Sequence, residues 1–276
     1  IGMVFQQFNL FNNKTVLVTG GASGIGKIMV RKSLERKVKS VIIWDFNQDG
    51  MNQVAREFSN FNIPIHLIKV DLSNSEDIEQ AIIQTKQLNI EVDMLFNNAG
   101  IVVGKEFVNN TLNDIERTMQ INTTALMQIA RGFLPQMLSN DFGVICNISS
   151  LAGLTSTPKM AVYSASKWAV LGWSEGLRIE MKQAKANVLI NVVTPYYINT
   201  GMFDGVKSKL LPILNPEKVT EKIISNIEKG KNKTSMPLPN WIVRLCQAML
   251  PLGLYDFVMG NIFGIYDTMA DFKGRK

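Results

Sequence analysis

The sequence predicts a single α/β domain spanning residues 1–276, built on a doubly wound, seven-stranded parallel sheet with helices on both faces. Three observations carry that expectation. Short, almost uninterrupted apolar runs recur along the chain and are separated by longer stretches of helical periodicity, the alternation expected of βαβ units. The runs lack the in-out alternation of a half-solvated sheet, so both faces of each strand should be covered. A glycine-rich turn joins the first run to the first helical stretch, which is the punctuation of a tight strand-to-helix connection. The length allows one large core, and no repeat, low-complexity tract or composition shift marks a second domain.

The first strand is Thr15–Thr19, which runs straight into Gly20-Gly21-Ala22-Ser23-Gly24-Ile25-Gly26. Glycines let backbone turn tightly and lie close to a pyrophosphate, and the helix opening behind them offers unpaired N–H groups and a positive dipole end. The second strand, Ser40–Trp44, ends in Asp45. A carboxylate there is placed to accept hydrogen bonds from a ribose and to repel an extra phosphate. No Arg or Lys follows it or stands at Ser23, so NAD(H) is expected over NADP(H). The third strand, Ile65–Val70, leads to Asp71 and Leu72, and the fourth, Met94–Asn97, leads to Asn98, Ala99 and Gly100. Residues 111–139 read as a long helical segment containing Asn122. The fifth strand, Val144–Ile148, is followed by Ser150, and a second long helical segment over 158–185 carries Tyr163 and Lys167. The sixth strand, Leu189–Val193, precedes Pro195, Ile198 and Thr200, and a short seventh is expected near Ser235.

Tyr163 and Lys167 stand four residues apart, so a helix places them on one face. An ammonium beside a buried phenol favours the phenolate, which should bring the tyrosine below its ordinary pKa of about 10 and make it a general acid or base. Ser150 is placed to hold a substrate oxygen beside it. These residues move a proton and no hydride, so a cofactor must carry the hydride.

Thr19 through Gly26, Asn97-Asn98-Ala99-Gly100, Ser150 and Tyr163-Ser164-Ala165-Ser166-Lys167 together resemble the short-chain dehydrogenases/reductases over roughly residues 12 to 235. The resemblance implies a Rossmann-type fold and a catalytic set of Asn122, Ser150, Tyr163 and Lys167. In it Asn122 positions a water that relays the proton, and Lys167 also binds the nicotinamide ribose. It further implies a cofactor site of Gly20, Ser23, Gly24, Ile25, Gly26, Asp45, Asp71, Leu72, Asn98, Ala99, Gly100, Tyr163, Lys167, Pro195, Ile198 and Thr200. Asp71 falls at the adenine contact and Thr200 at the nicotinamide carboxamide. The stretch from Thr194 to Phe203 and the tail Met269 to Arg275 are similar to the retinol dehydrogenase and type 11/13 17β-hydroxysteroid dehydrogenase branch. Tyr196 replaces a glycine common among relatives, which removes glycine's conformational freedom from that loop. The implied activity is NAD(H)-dependent interconversion of an alcohol and a carbonyl on a retinoid, steroid or long-chain alcohol. The implied setting is the endoplasmic reticulum membrane or a lipid droplet, with the catalytic domain facing a reducing compartment, or otherwise the cytoplasm. An NAD-binding lipid-surface scaffold with little turnover is the alternative, and it would have no need of all four catalytic positions. A homodimer would pair through the segments 111–139 and 158–185.

Composition narrows the choices. Two cysteines, Cys146 and Cys246, read as buried small hydrophobes, and His66 as structural. One histidine and no cysteine cluster leave a transition metal almost without ligands. The net charge of +6 is spread over many positions; the cluster at 27–39 reads as a solvated helix face, and no nucleic-acid partner is expected. The segment 202–216 reads as a substrate lid, with Met202, Phe203, Val206, Leu210 and Leu211 as contacts along with Ser150 and Tyr163. The apolar extension 237–266 is broken by Pro251 and several glycines, so two short amphipathic helices are expected and no continuous spanning helix. Those helices could complete the core, cap the pocket, pair subunits or lie on lipid, with the basic end Lys273 to Lys276 beside them. The start at Ile1 suggests a processed or truncated product, and residues 1–13, with Phe5, Phe8, Leu10 and Phe11, are too short and polar for an anchor.

Overall fold

The computed structural model describes residues 10–274; Phe5, Phe8, Arg275 and Lys276 lie outside the described residues. Seven strands form one all-parallel sheet: β1 (Thr15–Thr19), β2 (Ser40–Asp45), β3 (Ile65–Lys69), β4 (Met94–Asn97), β5 (Gly143–Ile148), β6 (Val188–Pro195) and β7 (Lys233–Met236), in the order β3-β2-β1-β4-β5-β6-β7. The helices are α1 (Gly24–Glu35), α2 (Gln48–Glu57), α3 (Ser75–Gln87), α4 (Leu112–Met119), α5 (Ala125–Ser139), α6 (Ala161–Gln183), α7 (Pro216–Glu228), α8 (Asn240–Met249) and α9 (Leu252–Phe257). Because β1 lies beside β4, the winding reverses between them, and the crevice that results opens at the carboxyl ends of the strands. The turns after β1 and β4 meet there.

The apolar runs are continuous because each strand feeds two cores. Val16 and Val18 of β1 pack with Val30 and Ile223 on one face, while Leu17 packs with Ile42, Leu95 and Phe133 on the other. The expected strands agree with the observed ones to within two residues at each end. β6 runs on to Pro195 because its last four residues pair with β7, ending in Pro195 opposite Met236.

The stretch 111–139 is not one regular helix. A five-residue π turn, Gln120–Thr124, separates α4 from α5. It coincides with Asn122, whose side chain is tied to the loop after β4; π turns of this kind are frequent at functional sites.

The basic cluster at 27–39 is an ion ladder between helices as well as a solvated face. Lys32 reaches Glu221 at 2.6 Å, Arg36 reaches Glu221 at 2.8 Å and Glu228 at 2.6 Å, and Arg31 meets Glu217, all on α7 or its first turn. Each such pair is worth about 0–1 kcal/mol, so the ladder aligns α1 with α7 more than it stabilises them. Cys146 is buried and Cys246 half-buried, and both are free thiols.

The segment 237–266 forms α8, α9 and a π turn at Val258–Ile262. Its inner side chains Val243, Tyr255, Met259 and Ile265 are buried, whereas Trp241, Leu245, Met249, Leu252, Leu254, Phe257 and Ile262 are exposed. Thus it completes a local core and leaves an apolar outer face. Among the described residues no helix is long and apolar enough to cross a membrane.

Candidate active site

A cleft of about 220 Å³ lies at the carboxyl ends of β1, β2, β4 and β5. One wall is the turn after β1. Gly20 has φ of +67° and its N–H donates to the Trp44 carbonyl at 2.7 Å. Gly26 is required by packing: a Cβ there would stand 2.1 Å from the Gly20 carbonyl oxygen and 2.5 Å from Asn98 Nδ2. The helix N-terminus that follows is left open, because Ser23 makes no side-chain cap bond and no acidic residue occupies the first turn of α1. Free N–H groups at a positive dipole end suit a pyrophosphate. Gly26→Ala is expected to displace the Gly20 turn, costing about 2 kcal/mol of stability and weakening dinucleotide affinity at least tenfold. Thermal unfolding and cofactor titration would check both, and unchanged affinity would count against the turn as the cradle.

Asp45 is buried at the end of β2, where Oδ2 accepts from the Ala22 N–H and Oδ1 from the Asn47 N–H, each at 3.0 Å. The carboxylate therefore braces the glycine turn and keeps lone pairs for a ribose hydroxyl. Asp71 carries a carboxyl held below the usual range, chiefly by the Ser73 hydroxyl at 2.7 Å and the Ser73 N–H at 2.9 Å. Asn98 is positioned by β1, donating its side chain to the Thr19 carbonyl at 2.9 Å, while the Thr19 hydroxyl accepts from the N–H groups of Asn98 and Ala99.

The far end of the cleft holds Ser150, Tyr163 and Lys167. From β2 to β5 is three strand spacings, about 14 Å, a span suited to an extended dinucleotide. Tyr163 and Ser150 face each other across that end, and the Ser150 hydroxyl accepts from the Ala152 N–H at 3.1 Å and donates to the Pro195 carbonyl at 3.5 Å. Lys167 is buried, donates from Nζ to the Ile148 carbonyl at 2.9 Å, and lies over the Tyr163 ring 5.7 Å from its centroid. Burial pushes the Tyr163 phenol up to about 12, against a smaller downward pull from Ser150, and pulls Lys167 down to about 8. This differs from the expected lowered phenol. The lysine ammonium is satisfied by a backbone carbonyl instead of the phenolic oxygen, so desolvation governs both groups.

Asn122 is fully buried, accepts from the Ile101 N–H at 2.8 Å, and donates to the Ile101 carbonyl at 2.9 Å and to Ser166 Oγ at 3.1 Å. Its side chain is occupied in pinning the loop after β4. It does not line the cleft, but a Cβ on Gly100 would lie 3.2 Å from its Oδ1 and 3.5 Å from Lys167 Nζ, so Gly100 separates the two by little.

Of the residues singled out from the sequence, Gly20, Ser23, Gly24, Ile25, Asp45, Asp71, Leu72, Asn98, Ala99, Gly100, Ser150, Tyr163, Lys167, Pro195, Ile198, Thr200, Met202 and Phe203 line this one cleft. Gly26, packed behind the turn against the Gly20 carbonyl and Asn98, does not, and neither do Val206, Leu210 and Leu211. Val206 is buried against the Tyr197 cluster, Leu211 packs on the same cluster, and Leu210 is 57% exposed. The physical reason is that the segment after Phe203 folds away from the cleft onto the tail, with the Val206 N–H bonded back to Phe203 and the Lys207 N–H bonded to Thr268. Residues not singled out as contacts also line the cleft, among them Phe46, Ile101, Arg117, Ile121 and Tyr196. Arg117 and Ile121 stand four residues apart, a helical spacing that could have found them together. Tyr196 is not in the left-handed region; its N–H bonds the Met236 carbonyl at 2.9 Å, so the loop does not need the glycine it lacks.

The sequence profile of the short chain dehydrogenase family matches residues 14–210. Human epidermal retinol dehydrogenase 2 is 32% identical over 268 residues, covering 95% of this chain and 85% of that protein. Human estradiol 17-beta-dehydrogenase 11 is 28% identical over 259 residues, covering 94% and 86%. Among solved structures, a short chain dehydrogenase/reductase from Burkholderia phymatum in complex with NAD superposes with a TM-score of 0.79 at 22% identity, over 88% of this chain and 95% of that one. A short-chain dehydrogenase from Sphingobium yanoikuyae in complex with NADPH gives 0.76 at 24% identity, over 87% and 97%.

Proposed function

The chain belongs to the short chain dehydrogenase family, and from that premise we propose that it is an NAD(H)-dependent oxidoreductase acting on the hydroxyl or carbonyl of a lipophilic molecule. The observation that carries this reading is the meeting of Ser150, Tyr163 and Lys167 at one end of a cleft whose other walls are the glycine turn and Asp45. A bound nicotinamide would supply hydride acceptor or donor chemistry, held by the open N-terminus of α1 and by Asp45. The protein's own part is proton transfer and alignment. Ser150 and Tyr163 bind the substrate oxygen, and Tyr163 takes its proton when an alcohol is oxidised. Lys167, with Nζ 5.7 Å from the centroid of the Tyr163 ring, compensates the charge. Asn122 positions Ile101 and Ser166, which holds both the loop after β4 and the helix carrying Tyr163 in place.

A retinoid, a steroid and a long-chain alcohol all suit the apolar Met202 and Phe203 wall, and the relatives named for retinol and estradiol support that class. The exposed face of α8 and α9 is proposed to rest on a membrane or lipid droplet, from which such substrates partition. The surfaces of α5 and α6 are proposed for pairing in a homodimer. The test is NADH absorbance with purified chain, NAD or NADP, and all-trans-retinol, estradiol or a long-chain primary alcohol in detergent. Turnover with NAD and at least one of these is expected. NAD binding without turnover on any of them would favour a lipid-surface scaffold instead.

A further inference from the structure

We propose that Tyr196 is a specificity-determining residue that confines one side of the reacting carbon, so that the substrate is an apolar molecule ending in a primary alcohol or aldehyde. The inference rests on the oxidoreductase reading above and selects within its substrate class.

Tyr196 is one of three residues, with Ser150 and Phe203, that line both the large cleft and a second cavity of about 30 Å³. The partition therefore stands beside the hydroxyl that receives the substrate oxygen. A carbinol carbon whose oxygen is held by Ser150 and Tyr163 has one substituent free to follow the Met202 side of the large cleft. A second substituent would have to enter the small cavity. At 30 Å³ that space holds roughly two water-sized groups, which admits a hydrogen or a very short alkyl group and excludes a ring.

The cavity is lined mainly by apolar side chains, and its threonines are partly committed. Thr157 spends its hydroxyl on the Ile265 carbonyl at 2.7 Å, and Thr155 Oγ1 accepts from the Tyr255 hydroxyl at 2.8 Å. The Thr155 hydroxyl proton and Ser150, already assigned to the substrate oxygen, are the polar groups left facing it.

The wall cannot swing aside cheaply, because it is fastened at every point. The Tyr196 hydroxyl and Ser208 Oγ are 3.0 Å apart, and its ring meets that of Tyr197 edge-on at 4.6 Å. Tyr197 is fixed in turn by Thr268 Oγ1 at 2.9 Å, and it packs on Phe203 at 5.0 Å. Phe203 meets the Tyr163 ring at 6.0 Å. A chain of four aromatic rings thus runs from Tyr196 to the acid/base tyrosine. Close-packed side chains of this kind transmit strain instead of yielding, so a bulky second substituent would push on Tyr163 itself. With glycine at 196 the partition would lose the Tyr196 ring and keep only Ser150 and Phe203 between the two spaces.

The experiment compares kcat/KM for a long-chain primary alcohol and for a ring secondary alcohol, estradiol, in the wild-type chain, Tyr196→Ala and Tyr196→Phe. Wild type should favour the primary alcohol at least a hundredfold. Tyr196→Ala should narrow that ratio at least tenfold, mainly by raising activity on estradiol. Tyr196→Phe keeps the ring and loses only the Ser208 contact, so its ratio should stay within threefold of wild type. Wild-type preference for estradiol, or an unchanged ratio in a folded Tyr196→Ala, would overturn the assignment while leaving the oxidoreductase reading intact. If Tyr196→Ala does not fold, the wild-type ratio still decides. Absence of turnover by wild type on every alcohol would overturn both.

Discussion

Tyr163→Phe should lower turnover by about three orders of magnitude, the middle of the range for removing a positioned acid or base and beyond, while the dinucleotide still binds. The substitution deletes one oxygen and keeps the ring that packs edge-on against Phe203 at 6.0 Å, so the aromatic wall and the fold should survive. Lost with it is the phenolic oxygen beside Ser150 that is proposed to take the substrate proton. Cofactor affinity measured by fluorescence titration should change by less than about threefold, since the glycine turn and Asp45 are distant from the change. Turnover within tenfold of wild type would show that another group moves the proton.

The pH dependence of the wild-type enzyme follows from the same pair. Burial raises Tyr163 to about 12 and lowers Lys167 to about 8. The form needed for alcohol oxidation is the pair lacking one proton, and a neutral lysine with a phenol holds as many protons as an ammonium with a phenolate. These are two tautomers of one macroscopic state, so the first proton leaves at the lower value. Alcohol oxidation should therefore rise as pH increases through about 8, and carbonyl reduction, which needs the fully protonated pair, should fall over the same window. Replacing Lys167 with Met should abolish that transition. A profile of kcat/KM that keeps the same inflection without Lys167 would separate the lysine from the proton transfer.

How far the sequence could be read depended on whether a residue's neighbours are near in the chain. The strands were legible because their buried faces need apolar side chains on both sides, and the glycine turn because Gly26 has no room for a Cβ beside Gly20, six residues away. The meeting of Ser150 with Tyr163 needed only the order of strand, turn and helix. Less could be read where distant segments decide the outcome. The state of Lys167 depends on the carbonyl of Ile148, and the π turn at Asn122 on a loop twenty-one residues earlier. Val206, Leu210 and Leu211 look like pocket residues by composition. The tail at Thr268 and Asp271 draws their segment away, as Gly205, whose Cβ would stand 2.1 Å from the Asp271 carbonyl oxygen, makes plain. Tyr196 stood out as a departure from a glycine, but its place as a partition depends on Tyr197, Phe203 and Ser208 together, and no local pattern announces that.

Asp45→Asn should reduce the preference for NAD over NADP by about fiftyfold in kcat/KM. Two effects add. The carboxylate is a stronger acceptor for a ribose hydroxyl than an amide oxygen, and hydrogen bonds to charged groups exceed neutral ones by about 1 kcal/mol, so activity with NAD should fall several-fold. Removing a like charge near the place of an added phosphate also relieves a repulsion of about 4 kcal/mol at close approach and an effective dielectric near 20. Solvation of the phosphate offsets much of that, and about tenfold of gain with NADP is the expected remainder. Asparagine keeps one acceptor oxygen, so one of the N–H groups of Ala22 and Asn47, now both bonded to the carboxylate at 3.0 Å, loses its partner. That should lower the melting temperature slightly without unfolding the turn. Steady-state kinetics with both cofactors and a thermal melt distinguish the roles. A changed ratio assigns Asp45 to cofactor choice, whereas a lowered melting temperature with an unchanged ratio would reduce it to a brace for the glycine turn.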